Sequence, residues 1–303
     1  MRYPRRVPER FRPLAPGEPI GVFALSGPVD PARLEAGLER LRSWGHPVVE
    51  APNVRKRGPV RYMAGTDDER LDGLLGLLDA GVRVAVSARG GYGVMRLAGR
   101  LPVARLAGAG VCLAGFSDLT PLLVRLAAAG APQVHGPVVA SLTGDAGSAE
   151  GLRRLLTGEI RPGGVVMAFG PDEVVRPGTA AGTLLGGNLT MLAASLGTPL
   201  ETDLAGSILV LEDINEPIYR IDRLLTQLRL SGRLNGVKAL IYGDLHEFEP
   251  DDRNRLRELL LEAVPGVPVI AGLPFGHGRR NDPFPLGIAG ALDTAAGTLL
   301  WRG

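Results

Sequence analysis

The feature that most constrains the fold is a repeated order: a short apolar run, a turn rich in glycine or serine, then a stretch with apolar residues at helical spacing. The first unit runs from Ile20 to Leu25 through Ser26-Gly27-Pro28 into a helix from Pro31 to Trp44, marked by Leu34, Leu38 and Leu41. Val48-Val49-Glu50 reads as a second strand, Asp67 to Leu78 as an amphipathic helix through Leu71, Leu74, Leu75 and Leu78, and Val82 to Ser87 as a third strand. Val111 to Phe116 then runs directly into Ser117-Asp118, and Leu119 to Ala129 is helical, with Pro121 tolerated in the first turn. Strands that alternate with helices predict a parallel sheet covered on both faces, with ligands at the carboxyl ends of its strands. The glycine-rich turn at 90–93 and Ser117 both fall at such ends, so they are expected in one crevice.

A chain of 303 residues accommodates two α/β domains or one large one. Glycine and proline interrupt the patterns from about Gly144 to Thr183, as an interdomain connection would. This sets an N-terminal domain at 18–145, a connection at 146–182 and a C-terminal domain at 183–303. The last of these is expected to hold a helix from Asn188 to Leu196, strands at Ile208 to Glu212, Val237 to Tyr242 and Val269 to Ala271, and helices at Ile218 to Leu230 and Asp251 to Ala263.

Basic and acidic side chains nearly cancel, 34 against 32 for a net charge of +2, and the charge is scattered, which argues against a nucleic-acid partner. No run approaches the ~18 uninterrupted apolar residues of a membrane-spanning helix. The arm Met1-Arg2-Tyr3-Pro4-Arg5-Arg6 begins like a signal peptide, but no apolar stretch follows before Pro13, Pro16 and Pro19, so it reads as a solvated tail. Cys112, the one cysteine, lies in an apolar strand and reads as a buried structural thiol, consistent with a reducing, cytoplasmic compartment.

Four segments carry candidate chemistry. Gly115-Phe116-Ser117-Asp118 sets a serine between a buried strand and a helix, where a nucleophile elbow holds its Oγ; the second glycine of G-x-S-x-G is replaced by Leu119, and a helix-capping serine is the alternative. Arg89-Gly90-Gly91-Tyr92-Gly93 fails the dinucleotide pattern, because Arg96 stands where a glycine is required; its glycines suit amides aimed at an oxyanion, or a plain turn. Phe275-Gly276-His277-Gly278 places a histidine in a loop as a credible general base. Leu209-Val210-Leu211-Glu212-Asp213 ends an apolar strand in acids able to orient a histidine, with Asp213 and Glu216 as rivals of Glu212. His46, His135 and His246 show no metal-ligand spacing and read as structural or surface residues; no metal and no organic cofactor is expected.

Together these segments resemble the LD-carboxypeptidase family of serine peptidases, which includes the microcin C immunity peptidases. Tyr62-Met63-Ala64-Gly65-Thr66-Asp67, Ala88-Arg89-Gly90-Gly91-Tyr92-Gly93, Gly115-Phe116-Ser117-Asp118, Gly186-Gly187-Asn188-Leu189, Leu211-Glu212-Asp213 with Glu216, Tyr219-Arg220-Ile221-Asp222-Arg223 and Gly276-His277 occur in the family's order over roughly residues 20 to 290. The resemblance implies a flavodoxin-like N-terminal domain carrying the serine, a smaller mixed α/β C-terminal domain carrying the glutamate and histidine, and a homodimer. It also implies release of the terminal D-alanine from murein tetrapeptide during wall recycling.

The expected triad is therefore Ser117, Glu212 and His277, with the amides of Gly91 and Asp118 as oxyanion donors and Arg89, Tyr92, Asn188 and Arg279 as substrate contacts. Two rivals remain: a hydrolase of aminoacyl-nucleotide conjugates like the microcin C immunity enzymes, and a non-catalytic protein that binds peptidoglycan fragments. The first lacks an evident aromatic-bearing insertion for a nucleobase between Ser117 and Glu212. The second leaves the joint presence of serine, glutamate and histidine without a purpose.

Overall fold

A computed structural model describes residues 11–245 and 248–302. The basic arm and the pair His246 and Glu247 lie outside the described residues. The chain forms β1 (Ile20–Phe23), α1 (Pro31–Arg42), β2 (Val48–Glu50), α2 (Asp67–Asp79), β3 (Val84–Ser87), α3 (Val103–Gly108), β4 (Cys112–Gly115), α4 (Thr120–Ala128) and β5 (Gln133–His135). There follow α5 (Ala146–Leu156), β6 (Val165–Ala168), β7 (Val174–Arg176), β8 (Thr179–Asn188), α6 (Leu189–Ala194), β9 (Ser207–Glu212), α7 (Ile218–Leu230) and β10 (Ala239–Tyr242). The chain closes with α8 (Pro250–Ala263), β11 (Val269–Ala271), β12 (Phe284–Leu286), β13 (Ala289–Asp293) and β14 (Thr298–Arg302).

The first sheet has the order β12-β5-β4-β3-β1-β2, and its first five strands in sequence are parallel. That 2-1-3-4-5 order is the flavodoxin-like one, with a topological switch point between β1 and β3. β1, β3 and β4 are buried along their whole length, as strands covered by helices on both faces must be. Local signals agree with this frame. Asp30 caps α1, and Thr66 with Glu69 forms a reciprocal capping box at the start of α2.

The second sheet is mixed, in the order β6-β14-β13-β8-β9-β10-β11-β7, with β8 to β11 parallel and the outer strands antiparallel. Two features go beyond the sequence reading. The segment 146–182 is not a simple connection: it holds α5, and its β6 and β7 form the two edges of the second sheet. Those strands are short and at most half-buried, and the glycines and prolines around them hide their period. With those two strands the second sheet has eight strands against six in the first. Finally, β12 leaves the C-terminal half and pairs antiparallel with β5, matching Phe284 to His135.

Candidate active site

Ser117 follows the fully buried β4 and takes a backbone φ of +61°, a left-handed value that only one other described non-glycine residue, Asn215, shares. Such a conformation costs about 1–3 kcal/mol and persists only where the surroundings hold it. Gly115 sits with its open side against Ser87, where an added Cβ would come within 3.2 Å of the Ser87 Cβ. Among the described residues the Ser117 side chain makes no helix-capping bond, so the cap reading does not account for it. The glycine turn lies directly against it: a Cβ at Gly90 would stand 3.2 Å from the Ser117 Cβ.

That turn is braced from beneath. Arg70, fully buried, donates to the carbonyls of Leu25 and Gly93 and pairs with Asp67 at 2.5 Å. The Asp118 carboxylate accepts from Ser26 Oγ at 2.5 Å and from the Val94 amide at 2.9 Å, tying the ends of β1, β3 and β4 together. Burial pushes the Asp118 carboxyl up despite these bonds. The amides of Gly91 and Asp118 themselves donate to no protein acceptor among the described residues.

Glu212 ends β9 and is 1% exposed. Its Oε2 lies 2.6 Å from His277 Nδ1, which leaves Nε2 as the imidazole's other face. Burial pushes the Glu212 carboxyl up, but the His135 and His277 rings outweigh that and hold it at about 2. Gly276 makes the approach of the two side chains possible: at φ +100°, an added Cβ would fall 2.7 Å from Glu212 Oε2. The His277 ring packs on Phe116, centroid to centroid 4.7 Å, which sets the imidazole beside the residue that precedes Ser117. The rivals of Glu212 are engaged elsewhere. Asp213 accepts from Asn188 Nδ2, from the amide and hydroxyl of Thr190 and from the Ile214 amide, and Glu216 pairs with Arg220.

Two cavities flank this centre. One, of about 280 Å³, is lined by His277 and Phe275 together with five acids, Glu212, Asp213, Glu216, Asp244 and Asp252. The other, of about 420 Å³, is lined by Arg61, Tyr62, Arg89, Gly91 and Tyr92 with Gly27 and Pro28. The expected contacts Arg89 and Tyr92 thus face the second cavity, where Arg89 also donates to the Pro28 carbonyl at 2.7 Å.

Asn188, the third expected contact, lines neither cavity. It is buried, caps α6 by accepting from the Met191 amide, and gives its Nδ2 to Asp213, so its side chain is committed to the fold. Arg279 is exposed and lines neither cavity. Cys112 is buried in β4, and burial pushes its thiol up to about 12. Among the described residues no three His, Cys, Asp or Glu side chains are placed to hold a metal ion, and no helix is long and apolar enough to cross a membrane.

Sequence reasoning missed Arg61, Asp244, Asp252 and His135 as members of the site. Asp244 had a usable signal, since it follows the carboxyl end of a buried strand as Glu212 does. His135 also ends a strand, and its ring is stacked at 4.6 Å on Phe284, a residue far away in sequence.

Residues 20–136 match the LD-carboxypeptidase N-terminal domain and residues 181–292 the LD-carboxypeptidase C-terminal domain. A Streptomyces coelicolor relative is 41% identical over 302 residues, covering 96% of both chains. The murein tetrapeptide carboxypeptidase of Pseudomonas aeruginosa is 35% identical over 278 residues, covering 86% of this chain and 88% of that protein. Among solved structures, the muramoyltetrapeptide carboxypeptidase from Oxalobacter formigenes superposes with a TM-score of 0.81 at 32% identity, over 93% of this chain and 97% of that one. The microcin C7 self immunity protein MccF shares the fold, with a TM-score of 0.82 at 24% identity over 98% of this chain and 99% of that one. With both domains matched in order and a relative this similar over nearly its whole length, the chain belongs to the LD-carboxypeptidase family.

Proposed function

We propose that this chain is a serine-type LD-carboxypeptidase that hydrolyses the amide between an L-centre bearing an amino side chain and the terminal D-alanine of murein tetrapeptide. The observation that carries the reading is the Glu212–His277 pair lining an acid-rich cavity, with the imidazole packed on Phe116, the residue before a serine held at positive φ. Ser117 Oγ attacks the scissile carbonyl as its proton passes to His277 Nε2; the C–N bond then breaks as that proton goes to the departing D-alanine amine. Water next attacks the acyl-enzyme and its proton returns through His277 to Ser117. Glu212 holds the imidazole through Nδ1 and stabilises its cationic form. The uncommitted amides of Gly91 and Asp118 are the donors for the tetrahedral oxyanion.

The charge of the two cavities supports one orientation. The acid-lined cavity suits the side-chain ammonium of lysine or diaminopimelate, while Arg61 and Arg89 suit the terminal carboxylate. A phosphate or sulfamate would meet like charge in the acid-lined cavity, which places the aminoacyl-nucleotide reading second. A homodimer and a cytoplasmic location belong to the same proposal. Mass spectrometry on murein tetrapeptide incubated with the protein tests it: tripeptide and free D-alanine are expected. Cleavage of an aminoacyl sulfamoyl nucleotide with the tetrapeptide left intact would overturn it.

A further inference from the structure

We propose that His135 is a positioning residue for the Glu212–His277 pair, donating Nε2–H to the carboxylate oxygen that His277 does not use. The inference rests on the serine-hydrolase reading of that pair. Glu212 lies between two imidazoles. Oε2 is 2.6 Å from His277 Nδ1, whereas Oε1 stands 4.0 Å from His135 Nε2. His135 is fully buried, and neither of its ring nitrogens has a hydrogen-bond partner among the described residues; nor has Glu212 Oε1. Three buried polar atoms are thus left unpaired in one place, where each unsatisfied group carries a substantial penalty. An approach of about 1 Å closes the gap to hydrogen-bond distance and satisfies two of them.

The ring is fixed in the plane this contact needs. His135 pairs in register with Gly115 of β4 on one side and Phe284 of β12 on the other. Its ring stacks on Phe284 at 4.6 Å with 13° between planes, and the edges of Phe116 and Phe275 close around it at 5.9 and 6.2 Å. Phe116 in turn carries the His277 ring. The strand that follows Ser117's helix, the strand returning from the C-terminal half and the catalytic loop therefore converge on one buried imidazole. Among the described residues the charged group that faces it is Glu212, and the groups facing Glu212 are His135, His277, Asp213 and Tyr242.

A donor on Oε1 does two things. It fixes the carboxylate so that Oε2 faces His277. It also stabilises the bare anion more than the anion already paired with imidazolium, because the unpaired charge gains more from a second hydrogen bond. Removing the donor therefore makes the pair hold its proton more tightly, and the acid limb of the kcat/KM profile moves to higher pH. Packing alone predicts no such movement.

Two variants separate these roles. His135→Phe keeps an aromatic ring to stack on Phe284 but removes the donor; His135→Gln keeps an amide donor near Oε1 but removes the ring. The positioning role predicts that His135→Phe lowers kcat tenfold or more with KM nearly constant, and moves the acid limb up by about one pH unit. His135→Gln should lie within about threefold of the wild-type protein with the limb unmoved. The reverse order, with His135→Phe the more active and its limb unmoved, would overturn the proposal. His277 titration by NMR in ¹³C-histidine-labelled full-length protein, assigned with His277→Asn, gives a readout that needs no substrate. A higher His277 titration midpoint in His135→Phe, but not in His135→Gln, supports the proposal even if murein tetrapeptide proves not to be the substrate, and equal midpoints in all three proteins reject it. Failure of the hydrolase reading itself shows separately, as absent turnover in the wild-type protein. If His135→Phe fails to fold, His135→Leu, which also lacks the donor, takes its place in the same titration with the same expectation.

Discussion

The two halves of the candidate site hold Ser117 and His277 by different means. On the first sheet, Ser117 is held by its backbone: a buried strand forces a left-handed turn, and the neighbouring glycine loop is clamped by Arg70 and Asp118. On the second sheet the histidine loop is pinned by its own bonds, from the Gly276 amide to Asn281 and from the Asp282 amide to the Pro274 carbonyl, and a side-chain hydrogen bond to Glu212 sets the imidazole. The serine's strained turn stays in place because the packing around its backbone holds it. A histidine held by a carboxylate is only as well placed as that carboxylate is. The difference teaches that substitutions at the serine should separate chemistry from stability cleanly, whereas substitutions behind the histidine should mix them.

The largest effect expected is for Ser117→Ala, which should lower kcat/KM by roughly 10⁴-fold or more while the thermal midpoint barely moves, measured by D-alanine release and calorimetry. Ser117→Gly should be as inactive yet more stable than Ser117→Ala, by about 1 kcal/mol, because glycine carries no penalty at positive φ. Equal stability of the two variants would show that the turn is not strained. Next comes Glu212→Gln, expected to lower kcat by about 10³-fold or more, whereas Glu216→Gln should act mainly on KM. Matching kcat losses in the two would break the distinction between them.

A third expectation concerns acid stability. The folded-state value of the Glu212 carboxyl is depressed, from 4.5 to about 2. Its contribution to stability is therefore complete above pH ~4.5 and is lost as the pH falls from there through ~2. Urea midpoints between pH 5 and 2 should fall more steeply for the wild-type protein than for Glu212→Gln. Parallel curves would mean that the buried pair contributes nothing to the acid limb. The smallest effect compares the arginines: Arg89→Ala should raise KM several-fold through loss of its place in the cation-lined cavity, and Arg279→Ala should leave it unchanged, both read from initial rates.

Much of the first half was legible in the sequence because each βα unit is local: the apolar runs, their helices and the turn at Ser117 all lie within a few residues of one another. Ser117, Glu212 and His277 were readable as candidates for the same reason, each standing at a strand end or between glycines. What stayed hidden depends on long-range pairing. Nothing near Val165 or Val174 announces that these short runs edge one sheet, since neighbouring glycines and prolines mask any period. Nothing near Phe284 announces that it pairs with His135. The cavity acids Asp244 and Asp252 were missed because their company is made by folding and not by spacing.

The path of the chain around His277 has a mechanical meaning. Residues 272–283 begin where β11 ends in one sheet and finish where β12 enters the other, so the loop bearing the imidazole is a strap stitched at both ends to different halves of the molecule. A second and shorter tie, Gly287 and Ile288, runs from β12 back to β13, so the two sheets are joined on both sides of β12 and the longer tie is the one that carries the imidazole. The position of the imidazole against Glu212 is thereby tied to how the two sheets are set against each other.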